Sequence, residues 1–174
     1  VGRFDLTYRL QRGSRRLELS GEVTTTTAID GDPWKNYLAV RLAVPDQSAT
    51  VQAITRDRLR RPVGGRFVSP AGYLIDEADR RTTVLTGGHA FHRKTGGRFF
   101  DTLIHVAGQT PRRHPLTFAY GFDLRDPVAQ SRMVDSIHRQ AITTSDETPA
   151  IGWLTSVSPA SVLLTKLDVS IDAV

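Results

Sequence analysis

The stretch TTVLTGGHAFHRKTGGRFFDTLIHVA, residues 82–107, decides how the rest of the chain is interpreted. Two β-rich runs, Thr82–Thr86 and Phe99–Ala107, enclose a polar segment that contains the pairs Gly87-Gly88 and Gly96-Gly97. Short runs of Val, Thr, Ile and Phe that end at glycines are typical of paired strands. The sequence therefore predicts a hairpin whose two strands are joined by a decorated loop.

The polar segment between these runs holds the densest group of functional side chains in the sequence. They are His89, His92, Arg93, Lys94 and Arg98. Phe91 lies between the two histidines, and the apolar face of an exposed aromatic ring can stack on a sugar ring. The other aromatic residues weighed for this role occupy mostly strand positions and are expected to fill the core; they are Trp34, Tyr37, Phe67, Tyr73, Tyr120 and Trp153. The loop is therefore the first candidate for a binding site.

The same loop contains an HxxH pair, His89 and His92, with Asp101 and His105 further along the chain. A zinc site needs three or four ligands that converge on one point, and HxxH in a loop does not provide them. Hydrogen-bonded or surface histidines are the expected outcome. No metal site is predicted.

Motifs for self-contained catalysis are absent from the sequence. There is no G-x-S-x-G elbow and no Walker-type phosphate loop, since the glycine-rich pieces lie in hairpins instead of before helices. Glycoside hydrolysis by paired carboxylates requires two acids across a cleft, and glutamate occurs only at 18, 22, 77 and 147. No catalytic residue is predicted.

The composition is that of one ordinary globular domain. The chain has 174 residues, of which 39% are hydrophobic and 24% charged, and that length buries about 70% of the unfolded surface. No run approaches the ~18 apolar residues of a membrane span, and no signal-peptide pattern appears at the start. We expect no membrane partner and, because Val1 leads directly into a strand-like pattern, a piece of a longer protein. With no cysteine, disulfides and thiolate chemistry are excluded and the cellular compartment stays open.

Arginine accounts for the basic character of the chain, which has a net charge of +5 and a pI of 10.1. The only lysines are Lys35, Lys94 and Lys166. The arginines follow strand edges and turns instead of one helical face, which favours a solvated surface over nucleic-acid binding. The RDRLRR run at 56–61 has the charge of a phosphate-binding patch, but no aromatic residue interleaves to stack bases. A solvated loop is the prediction there.

Alternating apolar and polar residues predict about ten strands against one short helix. The predicted strands are Phe4–Leu10, Arg16–Thr26, Trp34–Val44, Ala49–Thr55, Phe67–Ser69, Tyr73–Glu77, Thr82–Thr86, Phe99–Ala107, Leu116–Phe122, Ile151–Val157 and Ser161–Ile171. Trp34–Val44 is long and mostly apolar, which predicts a central strand buried on both faces, and Gly21 predicts a bulge. Asp126 and Pro127 predict a helix near 126–140. The fold class is therefore all-β, one antiparallel β-sandwich domain over residues 1–174.

The order of several motifs resembles the C-terminal β-sandwich region of glycoside hydrolase family 38, the α-mannosidases and their relatives. The motifs are PWKNYLAVRLAVP, VSPAGYLIDEADRRTTVLTGG, FFDTLIHVAG and IGWLTSVSPASVLLTKL. The residues that match the family pattern are Trp34, Tyr37, Ala39, Arg41, Leu85, Thr86, Asp101 and, with a one-residue offset, Val162, Leu164, Thr165 and Leu167. The glycines directly after Thr86 depart from that pattern.

The resemblance implies a galactose-mutarotase-like super-sandwich that packs beside a separate N-terminal catalytic domain. In that family the nucleophile, the acid/base and Zn²⁺ lie in an N-terminal α/β barrel, so no cofactor is expected in this chain and zinc would belong to the missing domain. The expected function is a non-catalytic accessory domain of an α-mannosidase-like glycoside hydrolase, whose loop forms one wall of a carbohydrate site. The candidate carbohydrate-binding residues are His89, Phe91, His92, Arg93, Arg98 and Asp101.

Two alternatives remain open at this point. The chain can be a stand-alone carbohydrate-binding module that uses Phe91, His89, His92 and Arg93. It can also be a protein–protein packing domain whose basic surface docks an acidic partner.

Overall fold

Two antiparallel sheets form the described part of the chain, residues 2–55 and 58–134 of a computed structural model. Its strands are β1 (Gly2–Leu10), β2 (Arg16–Thr25), β3 (Tyr37–Ala43), β4 (Thr50–Thr55), β5 (Arg58–Arg60), β6 (Arg66–Val68), β7 (Tyr73–Asp76), β8 (Arg81–Leu85), β9 (Phe91–Thr95), β10 (Phe99–Val106) and β11 (Arg113–Phe122). The larger sheet has the order β1-β2-β11-β8-β7-β4-β5, and the smaller has the order β3-β10-β9-β6. The predicted all-β antiparallel class is confirmed.

A hydrophobic core fills the space between the two sheets, because alternate residues of each strand point inward. Its buried members are Leu19, Val44, Ala49, Val51, Ala53, Phe67, Tyr73, Ile75, Val84, Phe100, Ile104, Leu116, Phe118 and Tyr120. Tyr73 lies among three other rings, with centroids 4.8 Å from His92, 5.5 Å from Phe67 and 6.2 Å from Phe100. The predicted core role of Phe67, Tyr73 and Tyr120 is confirmed.

One helix, α1 (Pro127–Val134), follows the last described strand. It begins at the predicted proline, whose fixed φ suits the first helical turn. Val128 packs against a second small cluster of buried residues, Ile54, Leu74, Leu85 and Ala119. The predicted end of this helix near residue 140 lies outside the described residues, as do the predicted strands Ile151–Val157 and Ser161–Ile171.

The predicted hairpin of Thr82–Thr86 with Phe99–Ala107 is wrong. Strand β8 lies in the larger sheet and β10 in the smaller one, and part of the intervening segment forms β9, which pairs with β10. Gly87 and Gly88 both have positive φ, 55° and 92°, and they carry the chain from one sheet to the other. The real hairpin is β9–β10, and its turn uses the second glycine pair, Gly96-Gly97.

Trp34–Val44 is also not a central strand. Trp34 belongs to the turn that precedes β3, and β3 is an edge strand of the smaller sheet. Its inward side chains, Val40 and Leu42, are only partly buried against the core. The outward-facing residues Ala39 and Ala43 are small, so this apolar strand does not need a neighbouring layer to bury its outer face. The RDRLRR run differs from its prediction too, since residues 58–60 form the short edge strand β5.

Gly21 does not mark a bulge. The ladder between β1 and β2 keeps its register through the Leu6–Gly21 pair, and an irregularity lies elsewhere, in β10 between Leu103 and His105. A Cβ at position 21 would lie 2.0 Å from the carbonyl oxygen of Asp5. Glycine is therefore required there because two backbones approach closely.

Replacing Gly21 with alanine is expected to lower the free energy of unfolding by about 2 kcal/mol, because β1 must move away from β2. Urea denaturation measures this loss. Gly13→Ala is the matched control: it also has positive φ, 80°, but no heavy atom lies within 4 Å of the added Cβ. Equal losses for the two variants would contradict the close-approach explanation.

Candidate functional site

The structure separates the six predicted binding residues. Phe91, Arg93 and Asp101 share the outer face of the smaller sheet, since they occupy alternate positions of β9 and β10. His92 points the other way and is buried beside Phe67 and Tyr73.

The remaining two lie at the ends of the connecting segments. His89 stacks on Phe118 of the larger sheet at 5.5 Å, and its Nε2 lies 3.3 Å from the carbonyl oxygen of Pro115. Arg98 is in the β9–β10 turn, with its guanidinium 5.4 Å from the centre of the Phe99 ring. Three of the six residues therefore lie on one face of the smaller sheet, where Asp101 is buried, and His89 and His92 are not part of it.

A row of charged residues crosses the outer face of the smaller sheet from edge to edge. Asp101 on β10 is the register partner of Arg41 on β3 and of Arg93 on β9. Arg93 is in turn the register partner of Arg66 on β6. The strand register therefore places three arginines and one aspartate side by side, on four different strands.

Asp101 is fully engaged by its neighbours in this row. Arg41 donates from Nε to Oδ1 at 2.6 Å and from Nη2 to Oδ2 at 2.7 Å, and the Tyr37 hydroxyl donates to Oδ2 at 2.8 Å. These bonds raise the pKa of Arg41 further above its usual value. A buried carboxylate held by two arginine donors and a phenol is a structural ion pair and not a free acid or base.

Next to this ion pair lies an aromatic pair, of which Phe91 is exposed and Trp34 is partly buried. The rings of Trp34 and Phe91 meet edge to face at 6.3 Å and 82°, and Phe91 is 51% exposed. The Arg66 guanidinium lies 5.4 Å from the Trp34 ring. Arg93 donates from Nη1 to the Trp34 carbonyl oxygen at 2.7 Å, which fixes the turn that presents the ring. We call Trp34, Phe91, Arg66 and Arg93 the aromatic–arginine face.

The sequence-based prediction of the site includes Phe91 and Arg93 but not Trp34 and Arg66. The predicted strand includes Trp34, whereas the backbone nitrogens of Lys35 and Asn36 donate to the carbonyl oxygen of Asp32 and show a turn. Arg66 is an ordinary arginine in sequence, and only its pairing with Arg93 gives it a place in the site. The turn motif DGDPW, residues 30–34, contained the information for Trp34, because a tryptophan directly after a turn need not belong to the strand that follows.

The buried histidines of the described residues are neutral structural groups. His92 donates from Nε2 to the carbonyl oxygen of Ser69 at 2.9 Å, and its Nδ1 lies 3.1 Å from Thr102 Oγ1. Burial lowers the pKa of His92 to about 4. His105 Nδ1 and His114 Nε2 are 3.1 Å apart, and burial lowers the pKa of both. Within residues 2–55 and 58–134, no group of three or more His, Asp or Glu side chains is placed to hold a metal ion.

The fold and the site together define an antiparallel β-sandwich with an aromatic–arginine face on the outer side of its smaller sheet. No protein-family model matches the chain, and no curated protein matches it either. Among the residues that the structure describes, no helix is long and apolar enough to cross a membrane.

Proposed function

We propose that this chain is a non-catalytic accessory β-sandwich domain of an α-mannosidase-like glycoside hydrolase, and that it contacts carbohydrate through the aromatic–arginine face. The half-exposed ring of Phe91 beside Trp34 carries this proposal, since sugar rings stack on exposed aromatic faces. Guanidinium donors of Arg66 and Arg93 flank the rings and suit sugar hydroxyl groups. Ligand sites commonly combine aromatic side chains with a few placed polar groups.

The residues that carry the resemblance to family 38 support the same proposal. Tyr37, Arg41 and Asp101 come from two strands, and they form one hydrogen-bonded cluster directly beside the aromatic pair. In this proposal the domain has the galactose-mutarotase-like form of the sandwich. Its partner is an N-terminal catalytic domain, which holds the nucleophile, the acid/base and any zinc.

Sugar affinity is the test of this proposal. Calorimetric titration of the chain with neutral mannose oligosaccharides is expected to show saturable binding. Phe91→Ala and Trp34→Ala are each expected to weaken it about tenfold, the loss of one aromatic stacking contact. Phe122→Ala is the matched control, because Phe122 is similarly exposed, at 44%, but lies on the larger sheet. Equal loss in the control would refute the assigned face, and absence of binding by any saccharide at millimolar concentration would refute carbohydrate binding.

The non-catalytic part of the proposal has a separate readout. The isolated chain is expected to leave aryl mannosides unhydrolysed, because Asp101 is committed to Arg41 and Tyr37. Hydrolysis of aryl mannosides faster than the uncatalysed rate, by an activity that copurifies with the chain, would refute only the non-catalytic part of the proposal.

A second candidate, a domain that packs against another protein domain, is favoured by a different surface. Phe4, Tyr8 and Leu10 of edge strand β1 are all more than half exposed. Phe4 and Tyr8 line an apolar cleft of about 470 Å³ that is bounded across from them by Val40 of β3. The sugar titration separates the two candidates, since a domain with a packing role alone shows no saturable sugar binding.

A further inference from the structure

We infer that the carbohydrate recognised by the aromatic–arginine face is anionic, a saccharide that carries carboxylate or sulfate groups. The inference rests on the proposed function and specifies its ligand. The observation behind it is the direct juxtaposition of two arginines, Arg66 and Arg93, as register partners on neighbouring antiparallel strands. Like charges placed directly opposite each other on one sheet face destabilise the pairing. A local arrangement that opposes stability is expected where a site binds a ligand of opposite charge.

The neighbouring carboxylate does not neutralise this pair. Asp101 lies beside Arg93 in the row, but both of its oxygens are occupied by Arg41 and Tyr37. Neither Arg66 nor Arg93 forms an ion pair with any carboxylate of the described residues. The row of one aspartate and three arginines therefore presents two positive charges that have no counterion within the described part of the chain.

The two guanidinium groups are held in place and still have donors to offer. Arg93 uses Nη1 for the Trp34 carbonyl oxygen and, at 3.3 Å, for the Tyr37 hydroxyl. No bond from its Nε or Nη2 to a described residue is present. The Arg66 guanidinium lies over Trp34 in a cation–π contact, which orients it without consuming its hydrogen-bond donors. Two orientated forks of N–H groups fit the planar oxygens of a carboxylate or the oxygens of a sulfate.

Stacking and charge recognition can act on one ligand at the same time. Phe91 is the register partner of Val68 on β6, and Arg93 is the register partner of Arg66. The exposed ring and the arginine pair are therefore two residues apart along the strands. That spacing is about 7 Å along a β-strand, close to the size of one sugar ring. A ring stacked on Phe91 therefore places its charged substituent near the guanidinium groups.

The experiment compares ligands that differ in charge. The intact chain is titrated with a neutral mannose oligosaccharide, an oligogalacturonate and a sulfated oligosaccharide of similar length, at low and at high sodium chloride. At least one anionic ligand is expected to bind about tenfold more tightly than the neutral one at low salt, the gain from one charge-assisted hydrogen-bonded pair. This preference is expected to shrink at high salt because the site is exposed. Which of the two anionic ligands gains affinity identifies the carboxylate or the sulfate as the recognised group.

Substitutions test whether Arg66 and Arg93 cause the preference for anionic over neutral saccharides. Arg66→Gln is expected to reduce the ratio of anionic to neutral affinity severalfold, and Arg93→Gln is expected to do the same. Arg9→Gln is the control of equal charge change, since Arg9 is an exposed residue of β1 on the larger sheet. It is expected to leave the ratio unchanged. Circular dichroism of each variant verifies the fold.

Several outcomes would overturn the inference, and they are distinguishable from failure of the proposed function. Equal affinity for neutral and anionic sugars removes the inference and leaves the proposed function intact. An equal effect of Arg9→Gln, or equally tight binding of polyglutamate, shows general attraction to a basic protein and also removes it. If no sugar binds, the proposed function fails and the inference fails with it.

Discussion

Replacing Tyr73 with alanine is expected to lower the free energy of unfolding by about 3–5 kcal/mol, the usual cost of removing a large ring from a packed core. Tyr73 is 1% exposed and lies between the two sheets. Its ring contacts His92 and Phe67 of the smaller sheet, so its removal leaves a cavity where the layers meet. Strand β7 is hydrogen-bonded to β8 on one side and to β4 on the other, so these strands cannot collapse freely into the cavity. Urea denaturation followed by circular dichroism measures the loss.

Tyr73→Phe is the control that separates the ring from its hydroxyl group. Burial raises the pKa of Tyr73, so the phenol stays protonated, and its hydrogen bond with Thr102 partly offsets this effect. Removing the hydroxyl alone is expected to cost only about 1 kcal/mol. A loss below about 1 kcal/mol for Tyr73→Ala would contradict the two-layer core.

Local patterns predicted the strands better than they predicted the partners of those strands. The alternation in Phe4–Leu10 and in Leu116–Phe122 identifies β1 and most of β11, because period-2 burial is a property of each strand alone. Pairing is a property of distant residues. β11 pairs with β2 although eight strands lie between them in chain order, and nothing in the sequence near either strand specifies that choice.

The error in the predicted hairpin has the same physical origin. Two apolar runs with glycines between them fit both a hairpin and a crossing between two layers of a sandwich. The difference depends on whether the residues 91–95 between them can form a strand of their own. FHRKT has no strong apolar alternation, and it becomes β9 because β6 and β10 flank it on both sides. Tertiary context outweighs intrinsic propensity in such a segment.

The residues of the candidate site also differ in whether the sequence could identify them. Phe91 could be identified from sequence because an aromatic residue among polar neighbours is unusual in a core. Arg66 could not, since its role arises only when the register brings it opposite Arg93. The sequence predicts His92 in a loop, because a polar segment gives no sign of a strand there, but alternation along β9 directs it inward.

Acidification from pH 7 to pH 4 is expected to lower the free energy of unfolding by about 3 kcal/mol through His92 alone. Its pKa in the folded chain is about 4, depressed mainly by burial, and the unfolded value is near 6.5. Between these values the unfolded chain binds a proton that the folded chain does not, so stability falls as pH falls. The contribution is complete above about pH 6.5 and is lost by about pH 4. Burial lowers the pKa of His89, His105 and His114 as well, which adds to the loss in the same direction.

His92→Gln isolates this contribution, because an amide can still donate to the Ser69 carbonyl and accept from the Thr102 hydroxyl but does not titrate. Urea denaturation at half-unit steps of pH is expected to show a shallower decline for the variant, by about 3 kcal/mol in total. Asp76 titrates in a lower pH range than His92, which distinguishes the two contributions in the same experiment. Its lowered pKa reflects hydrogen bonds from Gln52 and Arg81 that outweigh its burial, so its contribution is present above the usual carboxylate pKa near 3.9 and disappears only at lower pH. An unchanged slope in His92→Gln between pH 6.5 and 4 would show that His92 protonates without disturbing the core. It would contradict the buried position of His92, on which the outward position of Phe91 and Arg93 along β9 depends.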